Sequence, residues 1–302
     1  MLFRSTFSST STSNYTGYAV DGGDIDGDGK ADVLVTAYGR SSLAGAAGLW
    51  KSTAIGGGAE SLGTDASVLF TGTTAGDNLG WSGVVSEDLD GDGMADLILG
   101  APATASSTTP GKAYVIYGVG SLSGTVAIAT GADAIISGGT NGDRLGYAVA
   151  GVGDTDADGV NDFVVTADKQ DSGGTDAGAA YLFVSAPTGS VTAASGAYSI
   201  TTGEVASDFY GRNAAGVGDV NNDGFADVFL GATGYDSGTL SGAGAMYLWY
   251  GPLPSGTTSA SNYDLRLTGA NSADAIGYAL GGGGDVNNDG FADFMEIGRA
   301  HV

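Results

Sequence analysis

The chain has 302 residues, 56 of them Gly and none Cys, which excludes disulfides and thiolate metal sites. Ten Lys and Arg against 34 Asp and Glu give a formal charge of −24, which argues against nucleic acid and anionic membrane surfaces as partners. With 42% hydrophobic residues a core can still form, while no run of 18 apolar residues is available for membrane insertion.

The N-terminal stretch Met1-Leu-Phe-Arg-Ser-Thr-Phe7 lacks the apolar region and cleavage site of a signal peptide. The next element is Gly17-Tyr18, followed at once by an acidic loop that recurs five times. Its first, third, fifth and ninth positions are Asp24, Asp26, Asp28 and Asp32, then Asp88, Asp90, Asp92 and Asp96, then Asp154, Asp156, Asp158 and Asp162. The fourth copy supplies Asp219, Asn221, Asp223 and Asp227, and the fifth Asp285, Asn287, Asp289 and Asp293. Successive copies start 64, 66, 65 and 66 residues apart, and each has Gly at its sixth position. Such a period marks a repeat array rather than two ordinary domains. Oxygen side chains at this spacing can wrap a short turn around one hard cation, and Ca²⁺ suits them best because it accepts six to eight oxygens in flexible geometry.

Each acidic loop is followed by a β-branched run such as Val33-Leu-Val-Thr-Ala or Phe163-Val-Val-Thr-Ala, then a Ser/Thr/Gly-rich turn. A third run carries aromatics (Trp50, Tyr114, Tyr117, Tyr181, Phe183, Tyr247, Trp249), and a fourth alternates, as in Ser67-Val-Leu-Phe-Thr. All are short, rich in strand formers and bounded by Gly, Asp and Ser, and no helical period is sustained. An all-β chain of four-stranded antiparallel units is expected. One such sheet cannot bury both faces alone, so radial stacking into a β-propeller is the expected solution.

Gly72, Gly138, Gly203 and Gly269 each lie eight residues before the Gly of the next Gly-aromatic segment. Ser9 lies eight before Gly17, and Phe7-Ser-Ser9 matches Phe70-Thr-Gly72, so residues 1–14 are expected to hold the last strand of a preceding or closing blade. Blades are then expected over about 15–76, 77–142, 143–207 and 208–273, with a partial blade over 274–295. The heptapeptide Glu296-Ile-Gly-Arg-Ala-His-Val302 breaks the pattern in mid-strand and resembles the translation of a common sequencing adapter. Residues 296–302 are therefore expected to be non-native, and His301 is given no role.

These units resemble the FG-GAP repeats of the integrin α-subunit propeller and its bacterial relatives. Leu145-Gly-Tyr-Ala-Val stands at the Phe-Gly segment, Leu99-Gly-Ala-Pro102 at the Gly-Ala-Pro element, and the acidic loop at the family's calcium loop. The resemblance covers residues 1 to about 295 as one domain and implies about four and a half of seven blades. It also implies one Ca²⁺ per loop, up to five, with a backbone carbonyl from the seventh position: Lys30, Met94, Val160, Phe225 and Phe291. The chain departs from the family in the fourth unit, where Arg212 replaces the aromatic after the repeat Gly.

An EF-hand needs Glu at position 12 of the loop, where Val35, Leu99, Val165 and Leu230 stand and only the fifth copy has an acid, Glu296, within the expected non-native tail. It also needs flanking helices where strands are expected, so it is rejected. Tyr18, Trp81, Tyr147 and Tyr278 follow the repeat Gly; packing between blades is their expected role, a sugar-binding surface the alternative. No nucleophile elbow, zinc-binding His pair, P-loop or dinucleotide fingerprint is present, so no catalysis is expected. The expected function is a non-catalytic, calcium-stabilised binding or adhesion module, extracellular or at the cell surface, with a protein or glycan ligand on one propeller face. The alternatives are a lectin-like propeller or an accessory domain of a larger secreted enzyme.

Overall fold

The computed structural model describes residues 6–8, 13–56, 58–104 and 108–298. The first strand is β1 (Thr6–Ser8). Unit one holds β2 (Thr16–Gly23), β3 (Asp32–Ala37), β4 (Ala46–Trp50), β5 (Ala59–Ser61) and β6 (Val68–Thr71). Unit two holds β7 (Ser82–Ser86), β8 (Asp96–Ala101), β9 (Lys112–Ile116), β10 (Gly124–Ala127) and β11 (Ala134–Ser137). Unit three holds β12 (Leu145–Gly153), β13 (Asp162–Ala167), β14 (Ala179–Phe183), β15 (Gly189–Thr192) and β16 (Ser199–Thr202). Unit four holds β17 (Tyr210–Gly218), β18 (Asp227–Ala232), β19 (Ala245–Trp249), β20 (Gly256–Ser259) and β21 (Leu265–Thr268), and the fifth contributes β22 (Ala279–Gly284) and β23 (Asp293–Ile297).

In each of the first four units, four strands pair antiparallel in sequence order, as in β12-β13-β14-β16. The all-β partial propeller expected from the repeat is the fold observed. The second and third strands of a unit are covered on both faces: every residue of β8, β13, β18, β4, β14 and β19 is buried. This explains why they read as unbroken apolar runs. The faces are covered by neighbouring units. Leu34, Leu49 and Phe70 pack with Leu97, Leu99 and Ile116 of the next unit, and Val164 and Leu182 pack with Val228, Leu230 and Trp249. Of the third-run aromatics, Trp50, Tyr114, Tyr181, Phe183, Tyr247 and Trp249 are buried in the core, and Tyr117 is partly buried against it. The inner strands follow one another around the axis, β2 beside β7, β7 beside β12, β12 beside β17 and β17 beside β22.

A fifth strand, not anticipated from the sequence, is added to these sheets. The connection between the third and fourth strands of each unit crosses back and pairs parallel with the outer edge of the unit before it. Thus β10 pairs with β6, β15 with β11, and β20 with β16, while β5 pairs with β1 in the same way. An outer strand otherwise presents a row of unpaired N–H and C=O groups. The straps Gly124-Thr-Val-Ala, Gly189-Ser-Val-Thr and Gly256-Thr-Thr-Ser are short and polar, and so read as loops.

Adjacent units also meet backbone to backbone. Gly45, Gly111, Gly178 and Gly244 bridge Leu79, Leu145, Tyr210 and Ile276, each in the residues just before the next inner strand or at its start. Gly178 sits at φ +90°, and a Cβ there would lie 2.0 Å from the Tyr210 carbonyl oxygen. A second recurrent device is an Asp three residues before the repeat Gly in every unit but the first, where Asn14 stands: Asp77, Asp143 and Asp208 are buried, and Asp208 Oδ2 accepts the Val205 N–H at 3.1 Å. Burial pushes the carboxyls of Asp143 and Asp208 up to about 6.

β23 runs through Glu296 and Ile297, and Glu296 Oε1 accepts the Gly277 N–H at 3.0 Å. Residues 299–302, and with them His301, lie outside the described residues, as do residues 1–5 and 9–12.

Two predictions follow from these joints. Gly178→Ala forces the junction of units three and four apart and lowers unfolding stability by about 3 kcal/mol in urea titration. An unchanged midpoint would show that the junction is loose. Asp208 has its folded pKa raised above the ordinary value, so the stability tied to its proton is present below about pH 4 and lost as pH rises through about 6. Asp208→Asn keeps the acceptor for Val205 and removes the charge. The variant is therefore expected to melt higher than the parent at pH 7, with the gap closing below pH 4; a lower Tm at pH 7 refutes this account.

Candidate functional site

The five acidic loops join the first and second strands of their units, and the same hydrogen bonds recur in all five. The carboxylate at position 1 accepts the N–H groups of positions 5 and 6; for Asp154 these are Asp158 at 3.2 Å and Gly159 at 2.9 Å. Asp24, Asp88, Asp219 and Asp285 do the same. The position-5 carboxylates of Asp28, Asp92, Asp158, Asp223 and Asp289 accept the N–H of position 7. The position-9 carboxylates of Asp32, Asp96, Asp162, Asp227 and Asp293 accept the N–H of position 2. The backbone must turn left-handed at positions 4 and 6 to do this. Position 6 is Gly in every loop, and position 4 is Gly27, Gly91, Ala157, Asn222 or Asn288, each with φ between 60° and 81°. Glycine and asparagine enter that region most readily.

The position-9 residues open the second strand of each unit, and Asp32, Asp96, Asp162 and Asp227 are 0% exposed. In units one, two and four the second oxygen accepts a further N–H from just past the third strand, donated by Ser52, Gly118 or Gly251. In unit three that donor is missing, and the buried Asp162 Oδ1 has no hydrogen-bond partner.

The loops bring three carboxylates together in each of the first three copies. Ligand atoms of Asp24, Asp26 and Asp32, of Asp88, Asp90 and Asp96, and of Asp154, Asp156 and Asp162 lie within 4.8 Å of one another. Crowding three carboxylates is repulsive unless a cation or protons compensate. Desolvation, aided by the neighbouring carboxylates, pushes Asp96 and Asp162 up to about 6 and raises Asp90 and Asp156. The buried oxygens Asp26 Oδ1 and Asp162 Oδ1 lack partners, so the donor set fits a hard cation. Position 5 stands outside these triads, and Asp28 Oδ2 instead pairs with Lys30 Nζ at 3.1 Å and Ser52 Oγ at 3.0 Å. In the fourth copy the Asn221 amide donates to Asp223 at 2.8 Å. In the fifth, Asn287 lies beside Asp293. Lys30, Met94, Val160, Phe225 and Phe291 engage their loops through their N–H groups.

A second site lies at the other end of the inner strands. Tyr18, Trp81, Tyr147 and Tyr278 converge with Arg212 and Asn213 around a cavity of about 440 Å³. The ring centroids of Tyr18 and Trp81 lie 4.9 Å apart, and those of Trp81 and Tyr147 5.4 Å apart. Tyr18 is 48% exposed and Tyr278 58% exposed. Rings of neighbouring units thus pack on one another, as expected, and they also line a cavity, with Tyr18 and Tyr278 left exposed. Each sits at or just before the start of an inner strand. Their recurrence after the repeat Gly was visible in the sequence; their convergence on one cavity needed the ring geometry.

The repeats match a known sequence family. The FG-GAP repeat model matches residues 16–49, 79–116 and 211–249. The chain is 31% identical to integrin alpha-V of Gallus gallus over 236 residues, 75% of this chain and 21% of that protein. It is 27% identical to integrin alpha-PS5 of Drosophila melanogaster over 228 residues, 74% of this chain and 21% of that one. Against integrin alpha-4 of Xenopus laevis it is 28% identical over 159 residues, 52% of this chain and 14% of the relative. The chain thus spans about a fifth or less of the length of these curated relatives. Unit three falls outside the matched residues, yet it repeats the same strands and the same loop hydrogen bonds. The chain is a run of FG-GAP repeats forming part of an integrin α-like β-propeller.

Proposed function

We propose that this segment is a non-catalytic binding module of an extracellular or cell-surface protein, stabilised by up to five Ca²⁺ ions and binding its ligand at the axial cup. The observation that carries this reading is the separation of the two sites along the inner strands. In β12, Tyr147 stands near the start and Asp154 follows the last residue, Gly153. At about 3.3 Å per residue that places roughly 20 Å between ring and loop. A metal at the loop end would therefore hold a unit together without touching a ligand at the cup. Side-chain oxygens at positions 1, 3 and 9 would hold it, carboxylates throughout except for the Asn221 and Asn287 amides, assisted by position 5 and the carbonyl of position 7. The ion would supply the positive charge that lets these groups stay ionised at neutral pH. Weak sites of this kind fill outside the cell, where affinities of about 10⁻⁴–10⁻³ M suffice.

The relation to integrin α chains supports a protein ligand on a propeller face. The exposure of Tyr18 and Tyr278 favours a second reading, a glycan held in the cup, because exposed rings offer apolar faces next to polar groups.

Chelation with EDTA is expected to lower the melting temperature by more than 10 °C, and excess Ca²⁺ to restore it; superimposable melting curves refute the metal assignment. On a glycan array, Ca²⁺-loaded protein is expected to bind a subset of sugars and to lose them on Trp81→Ala. Binding that survives this substitution removes the cup from the glycan reading.

A further inference from the structure

The fourth unit breaks the aromatic rule of the cup, and the break has a consequence for what the cup accepts. Where the other units place a ring after the repeat Gly, this one places Arg212. Its guanidinium carbon lies 4.9 Å from the Tyr147 ring centroid and 5.5 Å from that of Phe209. Arg144 approaches the same Tyr147 ring at 4.7 Å. Both arginines pair with one buried carboxylate, Asp168: Arg212 Nη1 at 3.1 Å, and Arg144 through Nε at 2.9 Å and through Nη2. Two guanidinium groups against one carboxylate leave a net positive charge beside the cup, in a chain whose formal charge is −24. The residues lining the cavity include no Asp or Glu.

Arg212 spends one N–H on Asp168, and its side chain stays 30% exposed, so its remaining donors are available to a ligand. The planar fork of a guanidinium matches a carboxylate bidentately. The ring positions of Tyr18, Trp81 and Tyr278 supply apolar faces on the other sides of the same cavity. At about 440 Å³ the cup lies within the common range for small ligands, about 300–1,000 Å³.

We propose that the cup binds a pyranose bearing a carboxylate, a uronic-acid-type sugar, with Arg212 holding the carboxylate and the rings stacking on the sugar. This rests on the glycan reading above and specifies its chemistry. A cationic ligand would meet the Arg212 guanidinium, with that of Arg144 close behind the Tyr147 ring. The carboxylate of an acidic peptide side chain would satisfy Arg212 but carries too short a stem to cover three rings.

The test uses the Ca²⁺-loaded chain and the fluorescence of Trp81. Trp50 and Trp249 are 0% and 2% exposed, so Trp81 is the tryptophan that a ligand in the cup reaches. The probes are methyl glucuronide, methyl glucoside and N-acetyl-glutamate amide. The parent is expected to bind the glucuronide at least about tenfold more tightly than the glucoside, with the preference falling as salt rises. Arg212→Tyr, which places there the ring that three of the other units carry, is expected to abolish that preference. Arg212→Lys, which keeps the charge but not the fork, is expected to retain part of it. Equal affinity of the parent for both sugars overturns the charge selection and leaves the glycan reading standing. Silence towards both sugars overturns the two together. Tighter binding of the glutamate amide than of the glucuronide overturns the sugar and assigns the cup to acidic peptide.

Discussion

A single buried carboxylate at the head of each second strand is the point on which a repeat turns. In unit one, Asp32 accepts an N–H from the acidic loop with one oxygen and from the residues past the third strand with the other. It thereby ties the loop, the head of the second strand and the residues past the third strand at one point, in addition to the strand pairing and the Ser52–Asp28 hydrogen bond. An ionised carboxylate at 0% exposure is costly unless hydrogen-bonded or paired with positive charge. Backbone amides provide part of that compensation. In unit three they do not provide all of it, since Asp162 keeps one oxygen without a partner. The acidic loop, with its further carboxylates within 4.8 Å, is thus continuous with the sheet's own hydrogen bonding rather than an ornament attached to it.

The two ends of the inner strands answer to different physics. At the loop end, chain oxygens converge and charge is concentrated; at the cup end, rings and Arg212 converge around open space. The second and third strands behind the inner ones are buried on both faces, so both ends rest on a close-packed support and each can be specialised without disturbing the other. This division explains how units so alike in their loops can differ where they line the axis. Tyr18, Trp81, Tyr147 and Tyr278 keep a ring, and Arg212 does not. Arg212 remains compatible with its surroundings because Asp168 and the Tyr147 face receive it.

Much of this organisation was legible in the sequence because it repeats. The loop spacing, the apolar second strands and the alternation of Tyr181 and Phe183 in the third all encode local geometry, and the structure shows them as strands and turns. What stayed hidden depends on neighbours. A strap such as Gly256-Thr-Thr-Ser carries no apolar period, and its strand character comes wholly from the exposed edge of β16 that it meets. Asp208 is an ordinary turn residue on paper; only packing buries it. The rings after the repeat Gly were legible as packing residues, but their convergence on one cavity was not, since periodicity identifies a strand and does not say which rings of separate strands share a space. Arg144 drew no notice in the sequence because its partner, Asp168, lies 24 residues away and becomes a neighbour only through the hairpin of β12 and β13.

The backward-reaching straps give the array a direction. Each of the first three sheets is finished by material encoded one repeat later, so the inherited module and the folded module are out of phase. Leu265 and Leu267 of β21, at 40% and 41% exposure, occupy places that in the earlier units are buried, as at Val68 and Phe70. Damage to a strap is therefore felt upstream of the lesion, in the sheet already laid down. Duplication or loss of a repeat conserves the architecture only when the genetic cut leaves a donor behind every acceptor, a rule of succession like that of overlapping roof tiles.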